Sequence, residues 1–339
     1  MRSSPENHII FKIEDVMMET QRLTANYLHL QRLSTEDGPG IRTTVFLKGC
    51  PLHCAWCHNP ESIGKKSHIQ WLSHLCIGCK TCVLSCPGGC ISMENGKLRI
   101  DYKICALCGK CAEACPANAL EILGKEINSQ DLSEELLKDQ AFFAKSGGGV
   151  TLSGGEPALQ ADFCTALMKL LKEQGVHTAL DTCGLVPQIN LEMILPYTDL
   201  VMYDLKLMDA GQHQQFTGAS NERILQNLRW LVAKVRDGSL PLTLWIRTPL
   251  IPNATAKKEN LQAIAVFLNE TAVDLVERWE LCAFNNLCRD KYMRLGMNWN
   301  YQNQALMSRA ELDECLEWTK QVYRKPQTVS VTGAARVEE

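Results

Sequence analysis

The sequence predicts an α/β fold: a parallel sheet with helices outside it, interrupted by a cysteine-rich insert after the first strand. Three observations predict this. Strand-like and helix-like segments alternate from about residue 150 onward, two similar cysteine runs fall within residues 72–123, and a separate cysteine group follows the first strand. Alternating units of this kind build a parallel sheet covered by helices.

The chain has 339 residues, 45% hydrophobic and 22% charged, enough for one large globular domain and a small one. A net charge of −3 does not point to nucleic acid as a partner. The N-terminus is too acidic, and its apolar run too short, for a signal peptide. No stretch approaches the ~20 apolar residues of a membrane helix. Seventeen cysteines without an export signal imply a reducing cytoplasm and metal clusters instead of disulfides. Exposed clusters further suggest an anaerobic setting.

Residues 1 to about 25 carry no motif and read as a short helix or a frayed extension. Residues 27–32 lead into Asp37-Gly38-Pro39-Gly40, a turn by composition. Residues 41–47, branched and aromatic, are the first strand. Cys50, Cys54 and Cys57 follow on a loop at C-x3-C-x2-C spacing. Three thiolates hold three irons of a 4Fe–4S cluster and leave the fourth without a protein ligand, and an open position marks a reactive site. The alternative is a zinc knuckle with His53 or His58 as its fourth ligand.

In the next region Cys76, Cys79, Cys82 and Cys86-Pro87 fit C-x2-C-x2-C-x3-C-P, and Cys105, Cys108, Cys111 and Cys115-Pro116 fit it again. This internal repeat is the signature of a bacterial two-cluster ferredoxin, in which the fourth cysteine of each run serves the other cluster. One cluster then takes Cys76, Cys79, Cys82 and Cys115, and the other Cys105, Cys108, Cys111 and Cys86. Thiolate-only zinc sites do not need such a cross-paired double run. Fully ligated clusters relay electrons or staple a small insert. Cys90 is an extra cysteine close by, a bystander or a substitute for Cys86.

Residues 130–145 read as an amphipathic helix. A short strand, 150–152, then runs into a glycine-rich turn containing Gly154, Gly155 and Glu156, where glycines allow close backbone approach to a ligand. Further strands are expected at 176–182, 199–205, 242–248 and 278–284, and helices at 159–174, 222–235, 256–269 and 308–323. Asp181, Thr182, Met202, Asp204, Lys206 and Arg247 cluster at strand ends; taken singly, the aspartates read as caps of the next turn. Cys164, Cys183, Cys282, Cys288 and Cys315 lack ligand spacing and read as small buried hydrophobes. The tail after Lys325 is polar, with one alternating run at 328–332.

The stretch STEDGPGIRTTVFLKGCPLHCAWCHNPES, residues 34–62, resembles the radical S-adenosylmethionine enzymes, and within them the activating enzymes of glycyl radical enzymes. The resemblance implies a partial (β/α)6 TIM-like barrel, with which the six-strand count agrees, carrying a ferredoxin-like 2×4Fe–4S insert. Active residues then sit at the C-terminal ends of the strands. It implies that Cys50, Cys54 and Cys57 ligate a cluster whose open iron is chelated by S-adenosylmethionine. Trp56 would lie near the adenine, and the turn with Gly154, Gly155 and Glu156 would bind the amino group. Carboxylates near the ligand's own carboxylate are unfavourable unless a cation intervenes. The resemblance maps a monovalent cation site onto Asp181, Thr182, Met202 and Asp204, and a ligand-carboxylate contact onto Lys206. Arg247 is a weaker carry-over, with an ordinary strand-end arginine as the alternative. Where many relatives have a Pro-Phe-His-like tripeptide, this chain reads Cys282-Ala283-Phe284-Asn285-Asn286; Asn285 offers both a donor and an acceptor to a ribose hydroxyl. The basic, aromatic stretch after it is a docking face or an ordinary surface turn.

The expected organisation is residues 1–71 for the N-terminal extension and barrel start, 72–123 for the insert, 124–325 for the rest of the barrel, and 326–339 for a tail. The implied activity is reductive cleavage of S-adenosylmethionine to a 5′-deoxyadenosyl radical, which removes a hydrogen atom from a backbone glycine of a partner enzyme. Three 4Fe–4S clusters, S-adenosylmethionine and a monovalent cation are the implied cofactors. The implied partners are a glycyl radical enzyme and a low-potential donor such as flavodoxin or ferredoxin, the free protein being a monomer. The alternatives are a radical enzyme acting on a small molecule or another peptide, and a plain iron–sulfur electron carrier.

Overall fold

Strand β1, Thr24–Ser34, folds back antiparallel onto β2, Arg42–Leu47, through the turn at residues 35–41. The chain's structure, a computed structural model, describes residues 23–336. Residues 1–22 of the expected extension lie outside the described residues, whereas Thr24 and Ala25, expected to be featureless, already belong to β1.

The insert follows. Strand β3, His68–Trp71, precedes it, β4 (Ile91–Glu94) and β5 (Lys97–Ile100) form a hairpin within it, and β6, Leu120–Leu123, closes it by pairing antiparallel with β3. That pairing extends the base of the insert back to His68. The hairpin turns at Asn95 and Gly96, both at positive φ, the backbone that a two-residue turn with right-handed strand twist requires. Each cysteine run holds a four-residue helix, Thr81–Leu84 or Lys110–Glu113, entered from a left-handed residue, Lys80 or Gly109. The sequence repeat is thus a structural repeat. One residue after β6, strand β7 (Lys125–Asn128) pairs with the outer edge of β1.

The remaining strands are β8 (Gly149–Gly154), β9 (His177–Thr182), β10 (Leu200–Asp204), β11 (Thr243–Leu250), β12 (Val276–Ala283) and β13 (Val329–Thr332). They follow β2 in sequential order and all pair parallel, so the sheet reads β13-β12-β11-β10-β9-β8-β2-β1-β7. The six expected strands are all present. The seventh parallel strand, β13, falls in the stretch expected to be a polar tail and coincides with its one alternating run at 328–332. It forms because Val329 packs into the core and the backbone pairs with β12 from Trp279 to Cys282.

Between these strands run α1 (Ala161–Glu173), α2 (Glu222–Arg236), α3 (Lys258–Thr271), α4 (Arg289–Arg294) and α5 (Arg309–Lys320). A Ser308–Glu311 capping box starts α5, which satisfies two orphan donors at once. The helix expected over 130–145 divides into Ser129–Leu137 and Gln140–Ser146. The break falls at Asp139, whose carboxylate is drawn inward by Arg32 and by Thr43 Oγ1 at 2.7 Å.

Side chains alternate across a strand. One face of the sheet sends Val45, Leu152, Leu180, Tyr203 and Ile246 into a core shared with Phe163, Leu167, Leu228, Leu231 and Ile264 of the helices. The other face carries a thin apolar layer of Ala179, Leu200, Met202 and Trp245, and above it the polar strand ends. Residues 35–41 fold across this second face: Thr151 Oγ1 donates to the Asp37 carbonyl at 2.7 Å, and Arg247 donates to the Glu36 carbonyl. Contacts from β8 and β11 to one turn, and from Arg247 of β11 to Asp181 of β9, mark this face as concave.

Candidate active site

The loop after β2 is held by backbone hydrogen bonds along its length. Gly49 and Cys50 N–H donate to the carbonyls of Ser62 and Ile63, at 2.6 and 3.0 Å, and His53 and Ala55 N–H to those of Thr217 and Phe216, at 2.7 and 2.9 Å. From the C-terminal side, Trp299 Nε1 donates to the Ala55 carbonyl (3.0 Å) and Tyr292 Oη to that of Cys57 (2.9 Å). A loop whose donors and acceptors are satisfied this way keeps three sulfurs in place without a regular element.

Cys50, Cys54 and Cys57 line a cavity of about 280 Å³ at the C-terminal ends of the parallel strands. Trp56 stands in the same wall, packed with Leu207, Ile251 and Phe284. The turn after β8 contributes Gly154 and Gly155. A Cβ on Gly154 would lie 2.3 Å from Leu47 N, and one on Gly155 2.2 Å from Gly49 O. Only glycine lets this turn press against the cysteine loop, where Gly155 and Glu156 N–H reach the carbonyls of Leu47 and Gly49 at 2.8 and 2.7 Å. The close approach is therefore to the cysteine loop's own backbone.

Opposite stand Asp181, Thr182, Asp204, Lys206 and Arg247. Their charges are already paired. Arg247 sits 3.7 Å from Asp181, Ser153 Oγ donates to Asp181 at 2.7 Å, and Lys206 bridges to Asp204. Burial pushes the Asp181 carboxyl up to about 6, against the pull of Arg247. Burial opposes the Lys206 charge as well, but Asp204 together with the Cys54 and Cys183 sulfurs outweighs it and holds the ammonium above its ordinary value. Burial raises two of the three loop thiols: Cys54 goes up to about 11 and Cys57 higher.

Three residues expected at the site stand elsewhere. The Glu156 carboxylate is fully buried behind the cavity, where it accepts from Ala158 N (3.1 Å), Thr182 Oγ1 (2.8 Å) and Cys183 N (2.7 Å). It braces the end of β9, with no side-chain oxygen on the cavity wall. Met202 lies on the same face as Asp204 but one layer deeper, its side chain in the apolar layer and off the cavity wall. Asn285 Oδ1 accepts from Leu287 N at 3.2 Å and its carbonyl contacts His58 Nε2 at 2.9 Å; the cavity wall ends one residue earlier, at Phe284. Conversely, Cys183 and Cys282, set aside as buried hydrophobes, line the cavity. Spacing could not reveal them, because each reaches the site from the end of its own strand.

In the insert, Cys76, Cys79, Cys82 and Cys115 line one cleft, and Cys86, Cys105, Cys108 and Cys111 line a second together with Cys90. Cys90 Sγ is 3.2 Å from Cys86 Sγ.

The radical SAM superfamily profile matches residues 44–262, which span the cysteine loop and the strands from β8 to β11. The chain belongs to the radical SAM superfamily. Within it the isethionate sulfite-lyase activating enzyme of Oleidesulfovibrio alaskensis is 37% identical over 301 residues, 87% of this chain and 93% of that enzyme. The trans-4-hydroxy-L-proline dehydratase activating enzyme of Clostridioides difficile is 38% identical over 290 residues, 85% of this chain and 93% of that enzyme. Relatives of this extent make the chain one of the activating enzymes of glycyl radical enzymes. The solved structure of Streptococcus suis SuiB bound to its precursor peptide SuiA superposes with a TM-score of 0.50 at 12% identity, over 98% of this chain and 55% of that one, a likeness of fold alone.

A radical SAM enzyme carries a 4Fe–4S cluster and S-adenosylmethionine, and the activase's cavity fits that donor chemistry. Its sulfurs are soft ligands of the type that iron–sulfur clusters select. Among the described residues no three His, Cys, Asp or Glu side chains converge as a single ion would need, and the His58 Nε2 of the zinc alternative is engaged by the Asn285 carbonyl. No helix among the described residues is long and apolar enough to cross a membrane.

Proposed function

We propose that Cys50, Cys54 and Cys57 carry the cluster of this activase and that the strand ends facing them hold S-adenosylmethionine. When bound, the reduced cluster supplies one electron to the sulfonium, releasing methionine and the 5′-deoxyadenosyl radical that takes a hydrogen atom from a backbone glycine of the partner. The chain's own residues orient and exclude water. Lys206, an ammonium among carboxylates and thiols, meets the ligand's carboxylate. Gly154 and Gly155 offer main chain to its amino group, and Trp56 offers an apolar wall to the adenine. Asp181, Thr182, Asp204 and the Met202 main chain form the monovalent cation site, and an entering cation shares Asp181 and Asp204 with Arg247 and Lys206.

Residues 72–123 form a ferredoxin-like insert with two further 4Fe–4S clusters on an open, partial (β/α)6 barrel. The two four-cysteine clefts support that reading, since each takes three cysteines from one run and the fourth from the other. Electrons come from a low-potential flavodoxin or ferredoxin in a reducing cytoplasm, to a protein that is a monomer when free.

One observation carries the reading: the three loop cysteines share a single cavity with the strand-end charges. The test is 5′-deoxyadenosine formation by the anaerobically reconstituted, reduced protein with S-adenosylmethionine and a glycyl radical enzyme. The wild type should form it and Cys54→Ala should not. Cleavage by a cluster-loaded Cys54→Ala protein would overturn the assignment.

A further inference from the structure

Cys90 is the surplus sulfur of the insert. Laid over each other, the two cysteine runs match Cys76 to Cys105, Cys86 to Cys115 and Cys90 to Ala119. Cys90 and Ala119 are both buried, at 7% and 2% exposure, and each directly precedes a strand, β4 or β6. Packing at this position therefore asks only for a small side chain, and alanine meets it. The sulfur of Cys90 is an addition, and it has a definite neighbour: Cys90 Sγ stands 3.2 Å from Cys86 Sγ. The turn between the two residues is closed by Gly89 N–H, which donates to the Cys86 carbonyl at 3.2 Å.

Five cysteines thus line a cleft whose proposed cluster takes four. Two sulfurs this close can also bond to each other. A disulfide is about 2.0 Å long, so the pair at 3.2 Å has to close by roughly 1.2 Å. The turn has room for that movement. It reads Cys86-Pro87-Gly88-Gly89-Cys90, and a Cβ on Gly89 would meet nothing within 4 Å. Exposure orders the roles. Cys86 is partly exposed and Cys90 is buried, so an oxidant from solvent meets Cys86 first and Cys90 is the resolving sulfur.

We infer that Cys86 and Cys90 form a modification site, at which a hydroperoxide closes a reversible disulfide that withdraws both candidates for one cluster's fourth ligand from iron. The steps balance. Freed from iron, the Cys86 thiol is oxidised by hydrogen peroxide to a sulfenic acid, and one water leaves. The Cys90 thiol then attacks that sulfur: the S–S bond forms, the S–O bond breaks, and a second water leaves. The two thiols give up two electrons and two protons, and the O–O bond of the peroxide takes up both electrons. The consequence for iron rests on the proposed cluster of Cys105, Cys108, Cys111 and Cys86. With Cys90 locked as well, the cleft keeps three thiols until a dithiol reduces the bond. The gain is reversibility, because a sulfenic acid with no neighbouring sulfur goes on to sulfinic and sulfonic acids, which thiols do not reduce.

The experiment treats anaerobically reconstituted wild type and Cys90→Ala with graded hydrogen peroxide. Iron is counted, free thiols are alkylated, and the oxidised sulfurs are mapped by mass spectrometry. Part of each sample is then reduced with a dithiol and resupplied with iron and sulfide. Cys90→Ala should fold and load iron as wild type does, since Ala119 fills the twin position. In wild type the expected result is a bond between Cys86 and Cys90 that appears as iron is lost, with the iron regained after reduction. In Cys90→Ala, Cys86 should pass to the sulfinic or sulfonic acid, and the insert should regain several-fold less iron. Cys86 and Cys90 both still alkylated after iron loss would overturn the inference, as would Cys90 bonded to Cys105 instead, or equal recovery of iron in the two proteins. Should Cys90→Ala not fold, the wild-type map decides alone. A reconstituted wild type holding the iron of a single cluster would instead refute the reading of the insert, and the map of its sulfurs would still decide the pair.

Discussion

Tyr292 Oη donates to the main-chain carbonyl of Cys57 at 2.9 Å, joining helix α4 to a loop 235 residues earlier in the chain. Trp299 makes the matching bond to Ala55, and the two rings stack on each other with centroids 5.0 Å apart. Tyr292→Phe keeps the stack and removes one bond, leaving the Cys57 carbonyl with the longer Cys288 Sγ contact at 3.7 Å, at a cost of about 0.5–1.5 kcal/mol. The expected outcome is unchanged circular dichroism with several-fold faster loss of the active cluster to a chelator. A chelation rate equal to wild type would show that α4 does not hold the loop.

Glu156→Gln separates a brace from a ligand. The carboxylate accepts three hydrogen bonds, and glutamine turns one accepting position into a donor. Destabilisation of about 1–3 kcal/mol in denaturant melts of the apo-protein is expected, before any S-adenosylmethionine is present. Unaltered melts with abolished S-adenosylmethionine binding would restore the direct-ligand role.

Asp181 gives the site a pH dependence. Burial raises its folded-state value to about 6, above the ordinary value of about 4 for a free aspartate. Between those values the folded state binds more protons than the unfolded one, so this group's stabilisation is complete below about pH 4 and is lost as pH rises through 6. Function runs the other way, because only the carboxylate pairs with Arg247 or a cation. Formation of 5′-deoxyadenosine should therefore fall at acid pH, with a midpoint below about 6 where a bound cation favours the carboxylate, and the step should be absent from whatever activity Asp181→Asn retains. A step of the same midpoint in Asp181→Asn would assign it to another group.

The crossed pairing in the insert is testable by iron counting. Cys79→Ser and Cys115→Ser should remove the same cluster, and the double variant should lose no more iron than either single one. Cys86→Ser should keep more iron than Cys115→Ser, because Cys90 Sγ lies 3.2 Å from Cys86 Sγ and can take its place. Additive losses for Cys79 and Cys115 would mean that each run closes its own cluster.

The parts of the fold visible in the sequence were those driven by local pattern. The six central strands were legible because covered strands are rich in branched and aromatic residues, as Val45, Phe46 and Leu47 are in β2, and the loop and insert cysteines because iron ligation imposes spacing. β13 was missed since it is four residues long with only Val329 deeply buried, and its stability comes from pairing with β12. β7 escaped because its partner β1 lies on the far side of the insert, and β1 because its burial follows no regular alternation. The surroundings of Cys183, Glu156 and Asn285 were out of reach for a related reason. Whether such a side chain faces a cavity depends on how three separate strand ends pack, and no period or spacing encodes that.

The single residue between β6 and β7 has a mechanical consequence. Gly124 adopts φ 87°, and a Cβ there would come within 2.3 Å of Lys48 Cδ, two residues before Cys50. Lys48 is itself clamped, its Nζ donating to the Glu61 carbonyl at 2.6 Å. The insert is therefore no tethered appendage: its exit is wedged against the root of the cysteine loop, and its far end sits on a lever whose fulcrum is this glycine. A force applied to the insert has a short steric route to the place where Cys50 leaves the sheet.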